Sequence, residues 1–287
     1  MKDEVLNEFI MGVRGLMTYC SGLKRPPNRP RPSRIGIDAF CILYLFRSNT
    51  AGLETYLRSL LSYGHTLTLV IDRRAAKEKQ ETVDARRDAR ATAAAAAESL
   101  TEIMASPEFG DLHESEQSAI QRKLSLQQHN AWHVSGTHLR ALASLAHTLG
   151  ILWIPAEGEA DETLAALSHA GAIQIVISSD SDLLILGVET LWIPAANGSH
   201  LEISGLEFRR FLGLAGERVY ELAFLAGCDV HPRSIAPVAV AVSWLRFFGS
   251  LQKIHERFPD KVSEDDMVAY AAMRAPGGCW AITSSST

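Results

Sequence analysis

Apolar residues in this chain fall into two kinds of run. Ile35-Gly36-Ile37, Thr66 to Ile71 and Ile173 to Ile177 are short, nearly continuous apolar segments bounded by turns or charges. That is the pattern of parallel strands covered on both faces. Ile151 to Ile154 and Leu191 to Pro194 read as two further short strands. Between them the apolar positions recur at helical spacing, over 53–62, 134–148, Thr163 to Ala170, Leu206 to Leu212, Glu217 to Leu225, 238–258 and 264–273. Strands alternating with helices predict an α/β fold with a mostly parallel central sheet flanked by helices. No internal repeat is present.

One stretch breaks the pattern. Ala75 to Met104 has high helix propensity, with an alanine-rich centre at Ala91 to Ala97, but almost no apolar stripe. Such a helix is expected to project from the body. Ser106 to Ser118, with Pro107 and Gly110, reads as a loop or mobile tip, and 119–129 as a second helix carrying Arg122 and Lys123.

Length and composition set limits on this picture. The chain of 287 residues holds one large α/β domain or two small ones, and its 47% apolar and 21% charged residues are ordinary for a globular protein. No apolar run reaches the roughly 20 residues that span a bilayer, so no membrane partner is expected. Met1 to Ile10 carries Asp3, Glu4 and Glu8 and lacks the basic start of a secretory leader. Four scattered cysteines, without zinc spacing, read as reduced thiols of an intracellular protein.

The net charge of −5 argues mildly against nucleic-acid binding, but local basicity is more telling. Lys24, Arg25, Arg29, Arg31 and Arg34 form one acid-free run; Arg73, Arg74, Lys77, Lys79, Arg86, Arg87 and Arg90 cluster after a strand. Both runs are open to a bland reading as solvated charge.

The candidate chemistry lies in where the acids fall. Asp38 ends the first strand and Asp72 follows the second; Asp180 and Asp182 follow the third. Glu159 and Asp161 precede the helix that leads into that third strand, and Asp229 follows Gly227-Cys228 at a helix end. Any one of these alone is an ordinary cap or surface charge. Together they place carboxylates at the carboxyl edge of a sheet, where open α/β folds build sites. Acids converging on one cleft cannot all stay ionised without cations, and oxygen-only ligands suit Mg²⁺, or Mn²⁺. The pattern points to metal-assisted chemistry on a phosphate ester.

These segments resemble the flap endonuclease/XPG family of structure-specific 5′ nucleases over roughly Met11 to Gly249. Met11-Gly12-Val13-Arg14-Gly15-Leu16 is similar to the family's N-terminal start, Ile37-Asp38-Ala39 and Val70-Ile71-Asp72 to its first two aspartate motifs, and Glu159 to Asp182 to its internal region. Leu225-Ala226-Gly227-Cys228-Asp229 resembles the motif that supplies the last aspartate. The resemblance implies a PIN-like nuclease fold with a helical arch and a degenerate helix–two-turn–helix. It implies two Mg²⁺ ions at Asp72, Glu159, Asp161, Asp180 and Asp182, with Asp38 and Asp229 close by. It also implies Lys79 and Arg86 on the scissile phosphate, Tyr44 stacking on a base, and Gly12 near the DNA. The expected divisions are an extension over 1–10, an N-terminal nuclease region over 11–105, an arch segment over 106–128, an internal nuclease region over 129–232, and the helix–two-turn–helix with C-terminal helices over 233–287.

The implied activity is hydrolysis of DNA phosphodiesters at single-strand/double-strand junctions, as an endonuclease or 5′ exonuclease. The partner is DNA with a 5′ flap or junction, RNA being an alternative, and the protein is expected to be a nuclear monomer. Four departures bear on this. Asp161 stands where the family has glutamate, with Glu157 as a substitute acid; Arg73-Arg74 follow Asp72 instead of glycine; Ser234 to Val242 has no glycine; and Met1 to Ile10 precede the family-like start. Trp244-Leu245-Arg246-Phe247-Phe248 is not a sliding-clamp peptide and reads as a buried amphipathic helix. An inactive family member acting as a nucleic-acid-binding or interaction scaffold is the alternative. A phosphatase of DxDx[TV] type fits less well, because Asp180-Ser181-Asp182-Leu183-Leu184 lacks the final residue.

Overall fold

The computed structural model describes residues 12–27, 31–72, 80–275 and 280. Lys79, the Arg73-Arg74 pair and residues 1–11 lie outside the described residues. The N-terminal part runs α1 (Leu16–Tyr19), β1 (Arg34–Asp38), α2 (Ala39–Phe46), α3 (Thr50–Ser62) and β2 (Thr66–Ile71). A helical excursion follows: α4 (Gln80–Ala105), α5 (Glu108–Asp111), α6 (Glu114–Ala131) and α7 (Gly136–Leu149). The chain then returns to the body through β3 (Leu152–Pro155), α8 (Ala160–His169), β4 (Ile175–Ile177), α9 (Asp182–Ile185), β5 (Thr190–Pro194) and β6 (His200–Ser204). Helices α10 (Gly205–Leu212), α11 (Glu217–Ala226), α12 (Val238–Phe248), α13 (Leu251–Arg257) and α14 (Glu264–Arg274) complete it.

The six strands order as β3-β2-β1-β4-β5-β6. All pairs are parallel except β5 with β6. Strand alternation sends Ile35, Ile37, Leu67, Leu69, Ile175 and Ile177 to one face, where α2, α3 and α7 cover them. Val70 and Val176 go to the other, beneath α8 and α11. Burial on both faces is why these strands read as continuous apolar runs rather than alternating ones. From β1 the sheet grows toward β2 and β3 on one side and toward β4 and β5 on the other. The carboxyl ends of β1 and β4 therefore flank a topological switch point, where a crevice opens.

Several sequence expectations need correction. The stretch Ser106 to Ser118 is not a loop throughout: α5 forms within it, and α6 starts at Glu114 behind a capping box between His113 and Glu116. Polar composition concealed this start, since capping residues are themselves polar. Helix α4 does have a stripe, made of Ala93, Ala97 and Leu100, all buried. Small side chains let α4 and α6 lie close together, so the stripe is narrow rather than missing. The expected helix over 238–258 is two helices, broken at Gly249 (φ 89), which ends α12 in the left-handed conformation. Phe247 on α12 is 81% exposed, so that segment is only partly buried. Helix α2 and strand β6 carried no periodic signal. The first is apolar all round, and the second is an antiparallel edge strand with only Ile203 buried.

Candidate active site

Each candidate acid is held at the sheet edge by backbone geometry. Asp38 ends β1 and caps α2: its Oδ1 accepts from the amides of Phe40 (2.9 Å) and Cys41 (3.1 Å). Its Oδ2 accepts from Ser178 Oγ at 3.0 Å. Ser178 Oγ also accepts from the Asp180 amide at 3.1 Å, and Asp180 Oδ1 accepts from the Asp182 amide at 2.8 Å. The run after β4 is thus a chain of side-chain-to-backbone bonds that fixes Asp180 and Asp182, both buried, beside Asp38. Asp72 follows β2, and its carboxylate accepts from the Ala160 amide at the start of α8. Glu159 is the N-cap of α8, while Asp161 lies in its first turn rather than before the helix. Glu157 is exposed.

The electrostatics follow from this crowding. Burial, then the charges of Asp72 and Asp180, push the Asp38 carboxyl up to about 7. The Cys41 thiol is driven up to about 12 by burial and by Asp38, which leaves it protonated and unreactive.

Gly12 seals the inner side. A Cβ there would overlap Asp180 Oδ1 and come 2.5 Å from Ser181 Oγ and 2.7 Å from Asp182 Oδ1. With φ at +91°, the position suits glycine on both counts. The next amide, Val13, donates to Ser181 Oγ at 2.8 Å, and that of Arg14 donates to the Gly227 carbonyl. The N-terminal segment is therefore stitched to the acidic run and to the α11 end that carries Asp229.

Above this edge lies a cavity of about 660 Å³ reaching from Asp72 and Ser179 to Tyr44 and the helical excursion. Arg86 of α4 faces it and donates to Asp229 Oδ2 at 2.8 Å. Tyr44 lines it as well, edge-to-face with Trp132 at 5.2 Å. The structure thus gathers Gly12, Asp38, Asp72, Asp180 and Asp182 at one edge, with Glu159 and Asp161 at the α8 start and Arg86 joined to Asp229 across the mouth.

Beyond Asp229, α11 and α12 are joined through two turns. Cys228 and His231 exchange backbone hydrogen bonds, and the amides of Ile235 and Ala236 both donate to the Leu225 carbonyl at 2.9 Å. Those two amides are committed inside the protein.

A divalent cation suits the donor set chemically. The candidates are hard carboxylate oxygens, and a cation relieves the crowding that lifts Asp38. Among the described residues no three of these side chains already converge on a common point. Sequence reasoning missed Ser178 and Ser181, which organise the acids; the serine-rich run Ser178-Ser179-Asp180-Ser181-Asp182 after a strand was the available signal.

A mostly parallel sheet with acids at its switch point beneath a helical hairpin is the architecture set against known proteins. The XPG I-region model matches residues 150–229. Flap endonuclease GEN homolog 1 of Mus musculus is 28% identical over 128 residues, covering 42% of this chain and 14% of that protein. Exonuclease 1 of Danio rerio is 27% identical over 240 residues, 76% of this chain and 28% of that one. The matches thus span well under half the length of these curated relatives. Among solved structures, the catalytic core of Rad2 in complex with DNA substrate superposes with a TM-score of 0.64 at 18% identity, over 89% of this chain and 75% of that one. Over residues 150–229 the chain carries an XPG I-region, and it is similar there and beyond to flap endonucleases and exonucleases.

Proposed function

We propose that this chain is a divalent-metal-dependent nuclease that hydrolyses DNA phosphodiesters at or near single-strand/double-strand junctions. The observation that carries the reading is the carboxylate edge of Asp38, Asp72, Asp180 and Asp182, of which Asp72 opens on a cavity that Arg86 also lines. Buried acids opposite a cation in an open cleft suit phosphoryl chemistry. The names of the relatives, flap endonuclease and exonuclease, support the same class.

In this reading Asp72, Glu159, Asp161, Asp180 and Asp182 would hold two Mg²⁺ or Mn²⁺ ions, with Asp38 and Asp229 as nearby acids. Bound ions of this kind supply Lewis-acid activation of water and neutralise charge on the leaving oxygen. The chain's own residues do the rest. Asp38 and Ser178 hold the acidic run in register, and Gly12 lets the N-terminal backbone close against it. Arg86, with Lys79 seven positions earlier in the sequence, balances charge on the phosphate. An exposed guanidinium at a cleft mouth reaches incoming backbone first. Nuclear location and action as a monomer belong to the same proposal.

A second reading has one observation in its favour. The Ile235 and Ala236 amides, in a turn without glycine, are used internally. A member that grips duplex weakly there and acts as a nucleic-acid-binding or interaction scaffold fits that fact. Cleavage of a 5′-end-labelled flap duplex, with Mg²⁺ and with EDTA, comparing wild type with Asp180→Ala, separates the two. Metal-dependent products absent from the variant support the nuclease. No products over flaps, plain single strands and RNA support the scaffold.

A further inference from the structure

The acids of the site face two different spaces. Asp72 opens on the wide cavity beneath the hairpin. Glu159, Asp161 and Glu162 at the start of α8, together with Asp182, line a second space of only about 10 Å³. The rest of its wall is apolar: Leu186, Val230 and Trp280. Leu186 and Val230 follow Asp182 and Asp229 closely in the chain, whereas Trp280 comes from beyond the last helix. The enclosed volume is about the least that holds one water molecule. A divalent ion that keeps several of its waters does not fit it.

Trp280 is seated by contacts of its own. It is 5% exposed, and its ring lies 5.7 Å from that of Tyr220 on α11. Its amide donates to the Met273 carbonyl at 3.0 Å, and its carbonyl accepts from the Arg274 guanidinium. Arg274 sits 4.0 Å from the Tyr220 ring and makes a two-pronged pair with Glu217, both contacts at 2.8 Å. Tyr270 donates to Glu217 as well. The end of α14 and one side of α11 thus form a mount for a single large side chain at the carboxylates. An indole offers one N–H and no charge, so it cannot stand in for cations there. What it does is fill the space.

We propose that Trp280 is an autoinhibitory cap: seated, it denies divalent cations the α8 side of the acidic edge, and Glu159, Asp161 and Asp182 bind them only when it is displaced. The proposal rests on the reading of these acids as cation ligands, but not on cleavage. A cation that binds only the displaced form has its apparent affinity lowered by the fraction displaced. By linkage, the bound cation loosens the seat of the ring by the same factor.

The test is Mn²⁺ binding to the full chain by isothermal titration calorimetry. Wild type, Trp280→Ala, Trp280→Phe, Tyr220→Leu and Asp182→Ala are compared, each checked by thermal melting. The first three substitutions exchange one uncharged group for another, so they leave the charge at the acids as it was. Trp280→Ala should bind Mn²⁺ about tenfold or more tightly than wild type, the scale expected when the competent form is a minor one. Tyr220→Leu, which weakens the seat, should move the affinity the same way by less, and Trp280→Phe, which keeps a ring, should stay nearer to wild type. If Trp280→Ala does not fold, Tyr220→Leu decides, together with faster amide exchange at Trp280 of the wild type when Mn²⁺ is added. Equal or weaker Mn²⁺ binding by a folded Trp280→Ala overturns the cap. Binding that is lost with Asp182 but indifferent to Trp280 rejects the cap alone; no Mn²⁺ binding by wild type or Trp280→Ala rejects the cap together with the cation reading of the acids. Tighter binding by Trp280→Ala in a protein that cleaves nothing keeps the cap and rejects the nuclease.

Discussion

Arg86 on α4 and Asp229 beyond α11 form an ion pair of 2.8 Å across the mouth of the acidic cleft. The pair joins the helical hairpin to the body. Arg86 is 44% exposed, and pairs of this kind stabilise by about 0–1 kcal/mol. Arg86→Ala should therefore shift the unfolding midpoint little while speeding amide hydrogen exchange in the first turns of α4. On the nuclease reading it should also lower kcat by about 10²-fold, the scale for losing one preorganised partner of transition-state charge. Unchanged exchange in α4 would show that the pair does not hold the hairpin.

Asp38 is crowded by Asp72 and Asp180 in a buried setting. Asp38→Asn keeps the cap oxygen for the Phe40 and Cys41 amides and removes one of the repelling charges, while its Nδ2 must donate to Ser178 Oγ where Oδ2 accepted. In EDTA the variant should be more stable than wild type, by about 1 kcal/mol. Added Mg²⁺ should raise the melting temperature of wild type more than that of the variant. A variant less stable in EDTA would contradict the charge crowding described here.

Gly12→Ala should disturb the acids without touching one directly. The new methyl would meet Asp180, Ser181 and Asp182 at a backbone angle that non-glycine residues seldom adopt. A loss of about 1–3 kcal/mol is expected from the backbone alone, measured by denaturant unfolding, with a weaker response to divalent cations. Gly15→Ala is the comparison: its φ is also positive, but its nearest neighbour is Val238, at 3.9 Å.

On the opposite face of the sheet, His200 packs against Trp192 and Tyr56, its Nε2 2.7 Å from the Tyr56 hydroxyl. Burial, with a smaller contribution from His65, lowers its ionisation to about 4. An unfolded histidine titrates near 6.5. The folded state therefore binds this proton less readily, so the stability is complete above pH about 6.5 and is lost as pH falls toward 4. His65, also lowered by burial, adds to the same slope. Unfolding free energies measured from pH 7 to 4.5 should fall, and His200→Gln should flatten part of that fall. A slope identical to wild type would contradict the neutral buried imidazole.

What the sequence revealed and what it hid have physical causes. β1, β2 and β4 were legible because two-sided burial writes a strand as an apolar run ending in a charge. The acids Asp38, Asp72, Asp180 and Asp182 were legible because a parallel sheet puts all its carboxyl ends at one edge. Helix α2 was hidden because AFCILYLF is apolar on every side and has no period. The start of α6 was hidden by its own polar cap. The setting of Trp132 was beyond reach of pattern altogether, since it comes from Tyr44 and Arg47, more than eighty positions earlier in the chain. The committed amides of Ile235 and Ala236 could not be read either; the missing glycines were visible, but the partner that takes those amides is a matter of three-dimensional packing.

The most direct test of the central claim, that the acids at the β1/β4 switch point form a hydrolytic centre, separates binding from cleavage in one protein. Asp182→Ala and wild type are compared on the same flap duplex, for affinity in EDTA and for single-turnover cleavage in Mg²⁺. The account predicts affinities within about threefold of each other and a cleavage rate at least about 10²-fold lower in the variant. Equal cleavage by both proteins, or none by either, would contradict it.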